Sequence, residues 1–260
     1  MMRLHKGPVH PPPVTLEVGA ATDPGNVRPK NEDYHRYEIP EDPAWLGGRG
    51  CLFLVADGVG GSGGGAVASA EAAHAVTQEY YLGLGGDPGR ALRRAVERAN
   101  LHICHLRAGH PGLAGMQTTL TALVLCAGRY WIGHVGDSKA FLLRGGSLRQ
   151  LTRDHTVLQE MRRLGLVSPK RATRHPHRHL LTRTVGGDLL VAVDLQRGEA
   201  RPGDCFVLST DGLFEHLEPE EVRTAFTDSP AAAAAAACVE EAKRRGGFDN
   251  LTVLAARIPS

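Results

Sequence analysis

The chain has 260 residues, room for one large domain or two small ones. Thirty Lys and Arg against 28 Asp and Glu leave a formal charge of +2, which argues against a nucleic-acid binder, whose domain is usually strongly basic on one face. A hydrophobic share of 42% suffices for a core and excludes wholesale disorder, and no apolar run approaches the ~18 residues of a membrane-spanning helix.

Residues 1–13 hold four prolines and read as a loose tail without the apolar centre of a secretion signal. Residues 14–260 contain no internal repeat and, past residue 20, no linker, so a single domain is expected. Residues 15–20 alternate as a strand does. Residues 51–56 (CLFLVA) form an unbroken apolar run ending at Asp57-Gly58, the mark of a strand covered on both faces. Glycine then fills six of the eight positions 58–65. Residues 66–82 are Ala-rich and helical in character. In 88–107, Leu92, Val96, Ala99, Ile103 and Leu106 recur at spacings of three and four, one face of a second helix. A β-rich stretch follows at 118–126, 130–135 and 139–143, and Gly145-Gly146 turns the chain into 147–151. Residues 154–180 are polar and basic around a short helix at 157–164. Strands at 189–195 and 205–209, helices at 219–226 and 231–245, and a strand at 251–258 complete the chain. Strands are not followed one by one by helices, which disfavours a doubly wound parallel sheet and favours a layered α+β sandwich.

The five cysteines, Cys51, Cys104, Cys126, Cys205 and Cys238, form no CxxC pair and sit in apolar stretches. They read as reduced core thiols, which favours a cytoplasmic protein.

Four aspartates share a local grammar, each at the end of an apolar run or beside glycine: Asp57 (LVADG), Asp137 (HVGDS), Asp211 (LSTDG) and Asp249 (GFDN). A strand can hold such a carboxylate rigidly at its end, and several gathered together resist ionisation unless a cation neutralises them. Oxygen ligands suit Mg²⁺ and Mn²⁺. Taken singly, each Asp is as well explained by a helix cap or an Asx turn; four together favour a shared metal site. The glycine stretch lacks the Gly-Lys-Ser/Thr of a phosphate-binding loop and the spacing of a dinucleotide site. It reads better as a tight turn that lets a metal approach a backbone carbonyl than as an amide cradle for phosphate. Arg28, in the polar segment RPKNED of residues 28–33, is of the type that grips phosphate bidentately, although a solvated charge run explains the segment on its own. His175, His177 and His179 form an HxHxH run that would suit a soft metal, but a solvent-facing cationic segment is the simpler reading. With Arg171, Arg174, Arg178 and Arg183 around it, the segment would steer acidic phosphorylated peptides.

Together these residues resemble the metal-dependent protein phosphatases of the 2C type (the PPM family) in their bacterial serine/threonine phosphatase form. The likeness runs in order from Val18 to Ile258. GAATDPGNVRPKNED resembles the family's Arg-x-x-Asn-Glu-Asp segment, and VADGVGG its Asp-Gly-x-Gly-Gly. Met116-Gln117-Thr118-Thr119 resembles its Gly-Thr-Thr strand start, and HVGDSKAFLLRGG its Gly-Asp-Ser-Arg hairpin. LTRDHTVLQEMRRLG and HLLTRTVGG resemble the edges of its flap, here about residues 155–180, while LSTDGL and FDNLTVLAARI resemble its last two acidic motifs.

The resemblance implies a central β-sandwich of two mainly antiparallel sheets flanked by helix pairs, with two Mn²⁺ or Mg²⁺ ions at one end. Asp57 would bridge both ions. Asp211 and Asp249 would complete one, and the Gly58 carbonyl and, through water, Glu32 would serve the other. Asp137 with Asp211 would hold a third, weaker ion, and Arg28 would bind the substrate phosphate. A water bridged by the two ions would attack the phosphorus of phosphoserine or phosphothreonine in line, and Arg171 and Arg174 would steer substrate. The implied partners are phosphorylated proteins made by serine/threonine kinases, not nucleic acid or membrane, and the implied state is a monomer. The chain departs from the pattern twice: Val59 stands where some members have a histidine proposed as general acid, and Lys139 stands where arginine is usual. Two other readings compete. One is an inactive member serving as a phosphoprotein-binding or regulatory module, against which intact Asp57, Asp211 and Asp249 argue. The other is a hydrolase of small phosphate esters.

Overall fold

The computed structural model describes residues 16–59, 64–83, 86–167 and 179–260. The first sheet runs, in spatial order, β1 (Glu17–Asp23), β11 (Leu251–Arg257), β10 (Cys205–Ser209), β7 (Lys139–Arg144) and β8 (Ser147–Gln150). The second runs β2 (Asp33–Glu38), β3 (Cys51–Val59), β5 (Leu120–Cys126), β6 (Arg129–Val135) and β9 (Asp194–Glu199), with short β4 (Gln117–Thr118) pairing the end of β3. Every ladder is antiparallel. Six helices accompany them among the described residues: α1 (Pro43–Gly48), α2 (Gly64–Tyr80), α3 (Pro88–Gly109), α4 (Val157–Arg163), α5 (Pro219–Asp228) and α6 (Ala231–Arg244). No helix among the described residues is long and apolar enough to cross a membrane.

The two-residue period of a strand sorts β3 into two packings. Leu52, Leu54 and Ala56 join Ala72, Val76, Leu92 and Ile103 of α2 and α3 in one apolar layer. Cys51, Phe53 and Val55 meet Leu142, Phe206, Leu208 and Leu254 of the facing sheet in another. A third layer seats Ala234, Cys238 and Val239 of α6 on Val207, Val253 and Ala255. The result is a helix–sheet–sheet–helix sandwich, and it explains why 51–56 is apolar without alternation: both faces of β3 are covered. All five cysteines are free thiols and buried.

One sequence expectation is corrected, and two elements were not foreseen. The strand expected at 189–195 begins only at Asp194, opposite His134. Leu189 and Leu190 are exposed in an irregular segment, while Val191 and Val193 pack against the helix-side core without joining a strand. Residues 28–32 are irregular, as a polar loop is, but strand β2, which starts at Asp33, was not expected. Both β2 and β9 are sheet edges, where charged residues are accommodated and apolar alternation is weak. Helix α1, capped by the Asp42 side chain on the Ala44 amide at 2.7 Å, was also unforeseen. Residues 1–13, Arg171, Arg174, His175 and His177 lie outside the described residues.

Candidate metal centre

Continuing the alternation of β3, Asp57 points the same way as Val55 and Phe53, to the end of the layer between the sheets. Its backbone is pinned. The Asp57 amide donates to Thr119 Oγ1 at 3.0 Å, and its carbonyl accepts from the Thr119 amide and from Thr118 Oγ1, both at 2.8 Å. Asp33 stands opposite it in the β2–β3 ladder. Asp211 opens a 3₁₀ turn after β10, Asp137 sits in the bend between β6 and β7, and Asp249 immediately precedes Asn250 at the start of β11. Asn250 clamps this end of the sandwich: its Nδ2 donates to the carbonyls of Pro24 and Lys30 at 2.9 and 3.0 Å, and its Oδ1 accepts from the Glu32 amide at 2.8 Å. Asp57, Asp137, Asp211, Asp249, Glu32, Gly58 and Arg28 thus line one cleft of about 1180 Å³.

Gly58 owes its identity to close approach. A Cβ there would run into the Gly65 carbonyl and sit 2.7 Å from the Glu32 carbonyl, and a Cβ on Gly65 would lie 2.8 Å from the Gly58 carbonyl and 2.9 Å from Glu32 Oε2. Two glycines therefore let the start of α2 press against the end of β3 and keep the Gly58 carbonyl beside the Glu32 carboxylate.

The carboxylates oppose one another's ionisation. Burial, then the charges of Asp33, Asp211, Asp137 and Asp249, push Asp57 well above the usual carboxylate range. Burial and Asp211 raise Asp137 to about 8 against the pull of Lys139. Burial raises Asp33 to about 7, with Asp211 and Asp249 adding to it and hydrogen bonds from Thr252 and Thr210 opposing. For Asp211, burial pushes upward but is outweighed by a hydrogen bond and charge from His179, the charge of Lys139 and a hydrogen bond from Asp57, so it lies below the usual range. Such a set is at ease only with positive charge among it, and its all-oxygen chemistry suits a hard divalent cation. A further sign is Asp33 Oδ1, a buried oxygen with no hydrogen-bond partner among the described residues.

Basic side chains already hold two of the carboxylates. Arg28 Nη2 lies 2.8 Å from Asp249 Oδ2, and His179 Nδ1 lies 3.5 Å from Asp211 Oδ2 while its Nε2 meets Glu215 Oε1 at 3.2 Å. Lys139 Nζ is tied to Asp154 Oδ2 at 2.7 Å and to the Asp137 carbonyl at 3.1 Å. Consistent with this, no group of three or more His, Cys, Asp or Glu side chains among the described residues is drawn up in ready metal-holding geometry.

Asp33, which closes the RPKNED segment, is the carboxylate beside Asp57 that motif reading passed over. Only its strand register, opposite Asp57, shows it. The base of the flap region carries a second unforeseen network. Buried His155 accepts from the Gly136 amide through Nδ1 at 3.1 Å and donates through Nε2 to Asp194 at 3.2 Å, and Arg183 joins Asp194 at 2.8 Å.

The protein phosphatase 2C family model matches residues 30–244. The chain belongs to that family. Among its relatives is the serine/threonine protein phosphatase PstP of Mycobacterium tuberculosis, 36% identical over 249 residues that cover 94% of this chain but 45% of PstP; the chain thus spans a little under half of that protein. The protein phosphatase PhpP of Streptococcus pneumoniae is 30% identical over 243 residues, 92% of this chain and 96% of PhpP. The crystal structure of the M. tuberculosis phosphatase PstP/Ppp superposes with a TM-score of 0.84 over 94% of this chain and 99% of that one. The PstP catalytic domain in complex with two manganese ions gives a TM-score of 0.81 at 35% identity, over 94% and 99% of the two chains. The family fold, a two-sheet sandwich between helix pairs, is the one described above.

Proposed function

We propose that this protein is a metal-dependent phosphatase acting on phosphoserine and phosphothreonine in proteins, with Mn²⁺ or Mg²⁺ as cofactor. The observation that carries the reading is the cleft lined by Asp57, Asp137, Asp211 and Asp249, with buried Asp33 opposite Asp57 across the β2–β3 ladder, where burial and neighbouring carboxylates raise Asp33, Asp57 and Asp137. Asp57 would lie between two cations, Asp211 and Asp249 would complete one, and the Gly58 carbonyl and, through water, Glu32 would serve the other. Asp137 with Asp211 would hold a third and weaker one. Bound there, the cations would lower the pKa of a water toward neutrality and offset charge on the phosphate oxygens. The two-manganese complex of the related PstP domain supports this reading.

The chain's own residues supply the rest. The reaction breaks the ester P–O bond, water provides the new oxygen, and the serine or threonine hydroxyl leaves. Thr118 and Thr119 hold Asp57 in place by its backbone. Arg28, freed from Asp249 when that carboxylate is otherwise neutralised, is placed to bind the phosphate in a charge-assisted fork. Val59 has no proton to give, so protonation of the leaving oxygen falls to water or another residue. The partners are phosphorylated proteins, the products of serine/threonine kinases; Arg171 and Arg174 would steer them, and the buried thiols suit a cytoplasmic setting.

The test is release of phosphate from a phosphothreonine peptide and from a sugar phosphate, each with and without Mn²⁺. The reading expects Mn²⁺-dependent hydrolysis with the peptide preferred. No turnover on either substrate would favour a binding module, and preference for the sugar phosphate a small-ester hydrolase.

A further inference from the structure

Phe248 is a large apolar side chain that the fold holds in the open. It is 59% exposed, immediately precedes Asp249, and lines the cleft. Its ring is nevertheless fixed. It rests against the His216 ring with centroids 5.1 Å apart and a 48° tilt, and its backbone amide donates to His216 Nε2 at 3.2 Å. Gly246, at φ +139°, leaves the other space it needs: a Cβ there would lie 2.8 Å from Phe248 Cζ. His216 in turn follows Glu215, which His179 holds at 3.2 Å, and the next residue, Leu180, is 53% exposed and lines the same cleft. An exposed ring that is already ordered loses little conformational freedom when a partner covers it, and covering it removes apolar surface from water.

We propose that Phe248 is a specificity-determining residue, which takes an apolar side chain next to the phosphorylated residue of a peptide substrate. The inference rests on the phosphatase reading and deepens it. Consecutive Cα atoms are only ~3.8 Å apart, and Arg28 Nη2 lies 2.8 Å from Asp249 Oδ2, so a ring one residue from Asp249 lies within reach of the residues flanking a phosphate bound by Arg28. The cleft, at about 1180 Å³, is far larger than a phosphate group requires and leaves room for such a flanking side chain. Arg28 and Lys30 line the cleft too, so the phosphate and the apolar neighbour would be met by different chemistries.

The experiment compares kcat/KM for two phosphothreonine peptides that differ only in having Leu or Gly on both sides of the phosphothreonine, with an aryl phosphate as reference. Wild-type protein with Mn²⁺ is expected to prefer the Leu peptide by roughly tenfold, the scale of discrimination by one apolar side chain. Phe248→Ala and Phe248→Gln should each bring that ratio close to one, and Phe248→Leu should restore most of it. An unchanged ratio in Phe248→Ala and Phe248→Gln would overturn the proposal, as would a wild-type enzyme that hydrolyses the aryl phosphate but shows no preference. Sedimentation of wild type and Phe248→Ala guards against another occupant: a dimer lost on substitution with the ratio unchanged would give the ring to a second copy of the chain and also overturn it. Absence of hydrolysis on all three substrates would instead overturn the phosphatase reading beneath it.

Discussion

At the scale of single residues, Asp57 concentrates the energetics of the site. Burial and four neighbouring carboxylates disfavour its charged form, so the residue is there despite its cost to the metal-free fold. Asp57→Ala should therefore retain less than about a tenth of wild-type turnover at saturating Mn²⁺, while the metal-free variant melts no lower than metal-free wild type, because like-charge repulsion has been relieved. Activity assays paired with thermal melts in chelator check both halves. Arg28→Ala should act on substrate instead of metal. Loss of a charge-assisted fork worth about 1.5–3 kcal/mol corresponds to a tenfold to hundredfold fall in kcat/KM, and Mn²⁺ affinity by calorimetry should not fall, since Asp249 loses a competing cation. Loss of metal in that variant would count against the role. The aspartates that follow apolar runs were legible in sequence because strand ends announce themselves. Asp33 was not, since its importance lies in a register across β2–β3 that no local pattern encodes.

At the scale of elements, the packing of α2 on β3 depends on two facing glycines. Gly58→Ala would drive a methyl into the Gly65 carbonyl, a backbone atom that cannot rotate away. The expected loss is about 1–3 kcal/mol, read as a lower melting temperature together with weaker Mn²⁺ binding. A Cβ on Gly47, in α1, would meet nothing within 4 Å among the described residues, so Gly47→Ala should be neutral or stabilising by up to ~1 kcal/mol through helix propensity. The same substitution should thus have opposite signs at the two sites. Strands buried on both faces, such as β3 and β5, were readable because continuous apolar runs leave few alternatives. The edges β2 and β9 were misread or missed. Their stability comes from a ladder on one side only, so their sequences, DYHRYE and DLQRGE, carry little apolar pattern.

At the scale of the whole molecule, the clustered carboxyls set a pH dependence. Asp33 and Asp137 hold their protons to about 7 and about 8 in the folded, metal-free protein, against about 3.9 when unfolded. A carboxyl that binds its proton more tightly when folded makes folding less favourable as pH rises through that interval. His134 and His155, kept neutral by burial, give the opposite slope below about 6.5, and Asp211, lowered, has already contributed fully above about 4. The clean window is therefore about pH 6.5 to 8.5, where chelator-treated protein should melt at falling temperature and added Mn²⁺ should restore progressively more. A flat or rising profile in chelator would contradict this account. Long-range charge makes a separate prediction: neutralising Arg171 and Arg174 together should weaken use of acidic phosphopeptides, and the loss should shrink as salt screens the field. An equal loss on an aryl phosphate, independent of salt, would assign the pair to the metal site.

The most direct measurement is a Mn²⁺ titration of metal-stripped wild type and Asp57→Ala, followed in parallel by calorimetry and by phosphate release from a phosphothreonine peptide. Wild type should bind at least two Mn²⁺ per chain and gain activity as the second site fills, while Asp57→Ala, still folded, should lose both the tight sites and the turnover. Peptide hydrolysis by metal-stripped wild type in excess chelator, or full Mn²⁺-dependent turnover by Asp57→Ala, would contradict it.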